Sequence, residues 1–178
     1  MDPSSTAALV ELIHRAQRGD QSAQRDIIVS YQRRIAGFIY SITGRSDSVE
    51  DIAQQVFIKM LRALDTLQAP SQFESWLFRL ARNACIDHLR RQKLRRIFLP
   101  FGPEHENLPE PPGAVDAEEV DALRHALDQL RPQDRALLAL VQEGRSHAEI
   151  AATLKTSIAA VKARLHRARE QLRDHYQP

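Results

Sequence analysis

The sequence predicts an all-α protein of two small helical units joined by a linker. Three observations carry that. Apolar residues recur at three- and four-residue spacing along almost the whole chain. No segment alternates apolar and polar residues as a half-buried strand would. A single stretch, Pro100 to Gly113, holds Pro100, Gly102, Pro103, Pro109, Pro111, Pro112 and Gly113, through which helix cannot persist.

The helices follow in order. Leu9, Leu12, Ile13 and Ala16 share one face of a first helix that ends at Gly19. Asp20 can cap a second, striped by Ala23, Ile27, Tyr31, Ile35, Phe38 and Ile42 and closed by Gly44. Asp47 can cap a third, with Val49, Ile52, Val56, Met60 and Leu64 inward. After the break at Pro70, a fourth starts near Ser71 and carries Phe73, Trp76, Leu77, Leu80, Ala84 and Leu89. These stripes are wide enough to bury a four-helix core. Beyond the linker, a helix from about Asp116 to Leu130 places Val120, Leu123, Leu127 and Leu130 inward. Pro132 suits the first turn of the next, which ends at Gly144. Ser146 with Glu149 three residues on is a capping box. It opens a short helix with Ile150, Ala151 and Leu154 inward. Lys155-Thr156 then turn the chain, and Ser157 can cap a last helix built on Val161, Leu165, Ala168 and Leu172.

The chain has 178 residues, a net charge of +2 and one cysteine, Cys85. No intrachain disulfide can form, which fits a reducing cytosol. Met1 to Thr6 lack a signal-peptide pattern, no apolar run is long enough for a membrane span, and the expected location is cytoplasmic. Charge is distributed in blocks. Arg79, Arg82, Arg90, Arg91, Lys93, Arg95 and Arg96 face Asp87 alone. Ile97 to Leu123 contain no Lys or Arg, and Lys155, Lys162, Arg164, Arg167, Arg169 and Arg173 then restore positive charge. Two basic blocks around an acidic one suit two nucleic-acid surfaces, or equally two solvated helix faces.

The last two helices have helix-turn-helix proportions. Ala151 and Ala152 allow close packing, and Lys162, Arg164, His166, Arg167 and Arg169 stand between the inward positions of the second helix. A helix fits the major groove, where long cations reach phosphates and guanine edges; a plain helical hairpin with a basic face is the alternative. On the fourth helix, aromatics interleave with cations, as single-stranded DNA binding requires, although Trp76 at helical spacing also suits a core. Exposed residues of the turn ending at Phe73 are the better candidates for base contact. Asp51, Gln54 and Gln55 share a polar face of the third helix, with a protruding Phe57, and could dock a partner or simply meet water. There is no phosphate-binding Gly-rich loop, no nucleophile elbow and no His pair at metal-ligand spacing, so neither an enzyme nor a metal or other cofactor is expected.

Taken in order, Asp51-x-x-Gln54-Gln55-x-Phe57-Ile58-Lys59, Phe73-x-x-Trp76-Leu77-x-Arg79-x-x-x-Asn83, Leu130-x-Pro132, Gly144-x-Ser146-x-x-Glu149-Ile150-Ala151 and Val161-Lys162-x-Arg164-x-x-Arg167-Ala168-Arg169 resemble the extracytoplasmic-function group of the sigma-70 family. The resemblance runs from about Ala8 to Leu172. It implies that 5–96 form sigma region 2, 97–115 the linker and 116–178 sigma region 4. Asp51, Gln54, Gln55 and Phe57 would bind the beta-prime clamp of core RNA polymerase. Ser71, Gln72, Phe73, Trp76, Arg79 and Asn83 would read and melt the −10 element. Ser157, Ala159, Lys162, Ala163, His166 and Arg167 would read the −35 element, while another surface of region 4 meets the beta flap. The resemblance further implies promoter DNA and an anti-sigma factor as partners, no small-molecule substrate, and a monomer when free. The acidic linker suits a basic channel that RNA later occupies. Three positions depart from the family pattern: Lys155 for a turn Gly, Ala159-Ala160 for Gly-Thr, and Gln55 for Glu. A left-handed Lys155 would be mildly strained. A free-standing helix-turn-helix regulator and a helical adaptor are the rival readings.

Overall fold

The computed structural model describes residues 3–98 and 117–176, and their side chains over 6–94 and 119–176. Helices are α1 (Pro3–Gln17), α2 (Gln21–Thr43), α3 (Val49–Ala63), α4 (Phe73–Phe98), α5 (Ala117–Gln129), α6 (Pro132–Gln142), α7 (His147–Leu154) and α8 (Ile158–His175). Single 3₁₀ turns at Leu64–Thr66 and Pro70–Gln72 connect α3 to α4. Among the described residues there is no strand. Helix α4 continues through Phe98, and the rest of the expected linker lies outside the described residues.

Local chemistry sets most boundaries. The Asp20 carboxylate accepts from the backbone N–H of Ser22 (2.9 Å) and Ala23 (3.1 Å), and Arg15 pairs with it at 2.6 Å. Gly44 closes α2 in the left-handed region (φ 69°). At α3 the expected cap is not found. Ser48 precedes the helix without a side-chain cap bond, and Asp47 pairs with Arg45 at 3.0 Å instead. A neighbouring guanidinium competes with the helix N-terminus for that carboxylate, and the guanidinium wins.

Helices α1–α4 bury one core in which Ile13, Ile27, Ile35, Phe38, Ile39, Ile52, Val56, Met60, Phe73, Leu77 and Phe78 are inaccessible or nearly so. Gln17 ties α1 to the turn after α3 by donating to the carbonyls of Leu64 (2.9 Å) and Leu67 (2.8 Å). The second unit, α5–α8, centres on Leu137, Leu140, Ile150, Val161 and Leu165. The two units also pack on each other: α6 lies along α2 and α7 along α4. Their buried apolar residues therefore form a continuous core.

Candidate polymerase and nucleic-acid interfaces

On α3, Asp51, Gln54 and Gln55 are exposed, as their spacing requires. Phe57 is not the protruding residue expected from the sequence. It is 9% exposed and belongs to the core, because it neighbours Val56 and Met60 at the edge of the inward stripe. The apolar residue that does emerge is Ile58, 41% exposed. It lies seven residues after Asp51, so 51, 54, 55 and 58 form one face. That signal was present in the sequence, since Ile58 falls off the stripe through Ile52, Val56 and Met60.

The turn before α4 exposes Ser71 and Gln72. Phe73 is a second correction: it is fully buried, edge-on to Tyr31 with centroids 5.5 Å apart and 5.9 Å from Trp76. A ring so placed cannot stack on a base without leaving the core. Trp76 is half-buried against the same core. Arg79 is half-buried and Asn83 exposed, the latter accepting from Arg82 at 3.1 Å. Accessible groups here are thus Ser71, Gln72, Asn83 and parts of Trp76 and Arg79.

The helix-turn-helix is built as its sequence specifies. Ser146 Oγ accepts from the Glu149 N–H (3.3 Å), and Glu149 returns the contact by accepting from the Ser146 N–H (2.8 Å). The Ser146 hydrogen bonds hold the Glu149 carboxyl below its usual range against a smaller opposing effect of burial. Lys155 turns the chain at φ 52°, the one non-Gly residue with positive φ among those described. The Ser157 hydroxyl accepts from Ala160 N–H at 3.1 Å and caps α8.

Along α8, Ser157, Ala159, Lys162, Ala163, His166 and Arg167 are all exposed, with Ile158 beside them. His166 Nδ1 lies 3.0 Å from Glu170. Arg164 does not join this face as the sequence suggested. It turns inward and donates to Asp134 at 2.8 Å, fixing α8 to α6. The face therefore offers Lys162 and Arg167 as cations, with Arg169 nearby. Among the described residues no cluster of three His, Cys, Asp or Glu could hold a metal. No described helix is long and apolar enough to cross a membrane.

Comparison with known proteins bears directly on these surfaces. Residues 27–95 match the sigma-70 region 2 family, and 121–172 match sigma-70 region 4. The RNA polymerase sigma-H factor of Pseudomonas aeruginosa is 32% identical over 94% of this chain and 93% of its own length. The ECF RNA polymerase sigma-E factor of Escherichia coli is 30% identical over 94% of this chain and 93% of its own.

The chain belongs to the extracytoplasmic-function group of the sigma-70 family.

The sigma factor is also 34% identical to the ECF sigma factor SigE of Mycolicibacterium smegmatis, over 88% of its length and 64% of that longer protein. Two solved structures share its fold. CnrH, in complex with the cytosolic domain of CnrY, has a TM-score of 0.67 at 25% identity, over 94% of this chain and 96% of that one. RpoE of Bartonella quintana, in complex with the anti-sigma factor NepR, has a TM-score of 0.71 at 22% identity, over 85% and 94%. Region 2 thus contains the α3 face and the α4 turn, and region 4 contains the helix-turn-helix.

Proposed function

We propose that this ECF sigma factor docks on core RNA polymerase through Asp51, Gln54, Gln55 and Ile58 of α3. It then directs initiation by reading two promoter elements. The observation that carries the reading is one chain with two separate accessible surfaces: a polar α3 face with one exposed apolar residue, and an α8 face in which all six candidate −35 positions meet solvent. The first has the composition of a protein interface, the second that of a major-groove reader.

The mechanism is positioning. Lys162 and Arg167 supply phosphate and base-edge contacts in duplex DNA, while the capped α7–α8 turn fixes the angle of entry. The −10 element is read by Ser71, Gln72 and Asn83, with the exposed edge of Trp76 offered to an unpaired base. Unpairing costs a few kcal/mol per base, which stacking and phosphate contacts offset. The buried Phe73 holds the turn from beneath rather than touching DNA. Phe57 likewise supports the docking face from within. An anti-sigma factor is the expected regulator, in keeping with the family and with the NepR complex of RpoE. No catalytic step is assigned to the chain.

Run-off transcription with purified bacterial core polymerase tests the reading. A transcript that depends on both core and this protein is expected; its absence with every core enzyme tried refutes it. Binding of promoter DNA with full specificity in the absence of polymerase would favour a free-standing regulator instead.

A further inference from the structure

We propose that Lys155, in the turn between α7 and α8, is a phosphate anchor of the −35 surface, a DNA contact outside the six positions that the sequence put forward. The assignment rests on the −35 reading of α8 and adds a backbone contact to it.

Lys155 is costly where it stands. It adopts φ 52° and ψ 53°, the left-handed region, in which a Cβ crowds the following carbonyl. The other positive-φ positions among the described residues are Gly19, Gly44 and Gly144. The Lys155 side chain is exposed, and among the described residues no ion pair or side-chain hydrogen bond engages it. Its charge suits the C-terminus of α7. A glycine in its place would keep every backbone bond of the turn without the Cβ cost. A strained, unpartnered cation held on a functional surface points to a partner outside the chain.

The backbone fixes where that side chain starts. The Lys155 N–H donates to the Ala152 carbonyl at 3.4 Å, and the Thr156 N–H donates to the Ala151 carbonyl at 3.0 Å, closing α7. The Ser157 cap opens α8 two residues later. Two residues span at most about 7 Å, so Lys155 is rooted that close to the start of the reading helix. Lys155 to Ala159 are exposed without interruption. The major groove is about 12 Å wide and walled by phosphates. With α8 seated in it, a side chain rooted before the helix, rather than along its outward face, meets the wall and not the base edges.

The local charge has the sign a phosphate requires. Residues 150–169 contain no Asp or Glu. Lys155 therefore extends the exposed cations Lys162, Arg167 and Arg169 back across the turn. A lysine suits this task, since its flexible four-carbon stem carries a compact charge to a phosphate oxygen. Base-edge contacts specify and phosphate contacts set register. Lys155 thus fixes the height at which the first turn of α8 enters the groove.

The test uses holoenzyme assembled on core RNA polymerase. The probe is a duplex carrying a −35 element, selected by the wild-type holoenzyme from a randomised library. Lys155→Asn removes the charge and keeps the backbone, because Asn tolerates the left-handed region. Lys155→Arg keeps the charge. Thermal unfolding should show Lys155→Asn at least as stable as the wild type. Its holoenzyme should nonetheless bind the probe about eightfold more weakly at about 0.1 M salt, the worth of one released counterion. The salt slope should become shallower by about 0.9. The loss should be equal on duplexes with single base changes in the element. Lys155→Arg should bind within about twofold of the wild type. Methylphosphonate substitution, one phosphate at a time, should find a position that costs the wild type about eightfold and costs Lys155→Asn nothing. Wild-type affinity and slope in Lys155→Asn overturn the anchor. So does a loss that changes with base sequence or that no single neutral phosphate reproduces. A less stable Lys155→Asn whose weak binding has no phosphate partner assigns the residue to the α7 terminus instead. Failure of the wild-type holoenzyme to select any duplex refutes the −35 reading itself, and the anchor with it.

Discussion

Glu74→Gln removes the negative centre on which Arg145, Arg34 and Tyr31 converge, and its cost can be worked from the structure. Burial pushes the Glu74 carboxyl up, but hydrogen bonds from Arg145, Arg34 and Tyr31 together outweigh it and hold the group at about 2 against an ordinary 4.5. The side chain is 13% exposed, so solvent screens this little. A depressed folded value means that the stabilisation is fully present above the unfolded value. It is lost as pH falls through the folded one. That difference corresponds to roughly 3 kcal/mol at pH 7. That agrees with the roughly 3–5 kcal/mol expected when a buried pair loses one partner. With a urea slope of about 2 kcal/mol per molar, the midpoint should fall by about 1.5 M at pH 7. At pH 3 the carboxyl is almost wholly protonated in the unfolded chain but still mostly ionised in the folded one, so the gap should shrink to about 1 kcal/mol. Urea titrations followed by far-ultraviolet circular dichroism at both pH values measure this. A loss below about 1 kcal/mol at pH 7, or a gap that does not narrow at pH 3, would show that Glu74 and Arg145 do not share a buried contact.

Other outcomes follow from burial and backbone geometry. Phe73→Ala should destabilise the chain by about 3–5 kcal/mol in urea titration, since it empties a fully buried ring site; a variant of unchanged stability that fails only in promoter melting would return Phe73 to the DNA surface. Gln54→Ala should leave the melting temperature within about a degree and weaken polymerase binding in a pull-down or titration, whereas Phe57→Ala should lower both. Lys155→Gly should stabilise by about 0.5–1 kcal/mol, because Lys155 sits at φ 52°; thermal unfolding reads it as a small upward shift. Arg167→Ala should weaken promoter-directed transcription with polymerase affinity unchanged, and it should lower the salt dependence of DNA binding by about one unit of slope if Arg167 meets a phosphate.

What the sequence could determine is what acts within one or two turns of chain. Asp20, Ser146 with Glu149, and Ser157 cap their helices as the pattern requires, because a capping side chain reaches only two or three residues forward. The exposed faces of α3 and α8 follow from a period of 3.6 residues, whereas the left-handed backbone at Lys155 is expected only from the Gly that the family pattern has there. Period alone does not say how wide a buried stripe is. Phe57, at a stripe edge, is read outward from its spacing and lies inward, whereas Phe73 is buried as its place in the α4 stripe requires, although the family resemblance gives it to the DNA surface. Partner choice between distant groups lies further still from sequence reach. Asp47 pairs with Arg45 rather than capping α3, and Arg164 turns from the DNA face to Asp134. Arg34 meets Glu143 across 109 residues. Each of those outcomes is a competition between charges brought together by packing, and Coulomb energy depends on the final distance and burial rather than on order along the chain. The tertiary structure alone decided that the two units close on each other, because only there do Arg145 and Glu74 leave water together.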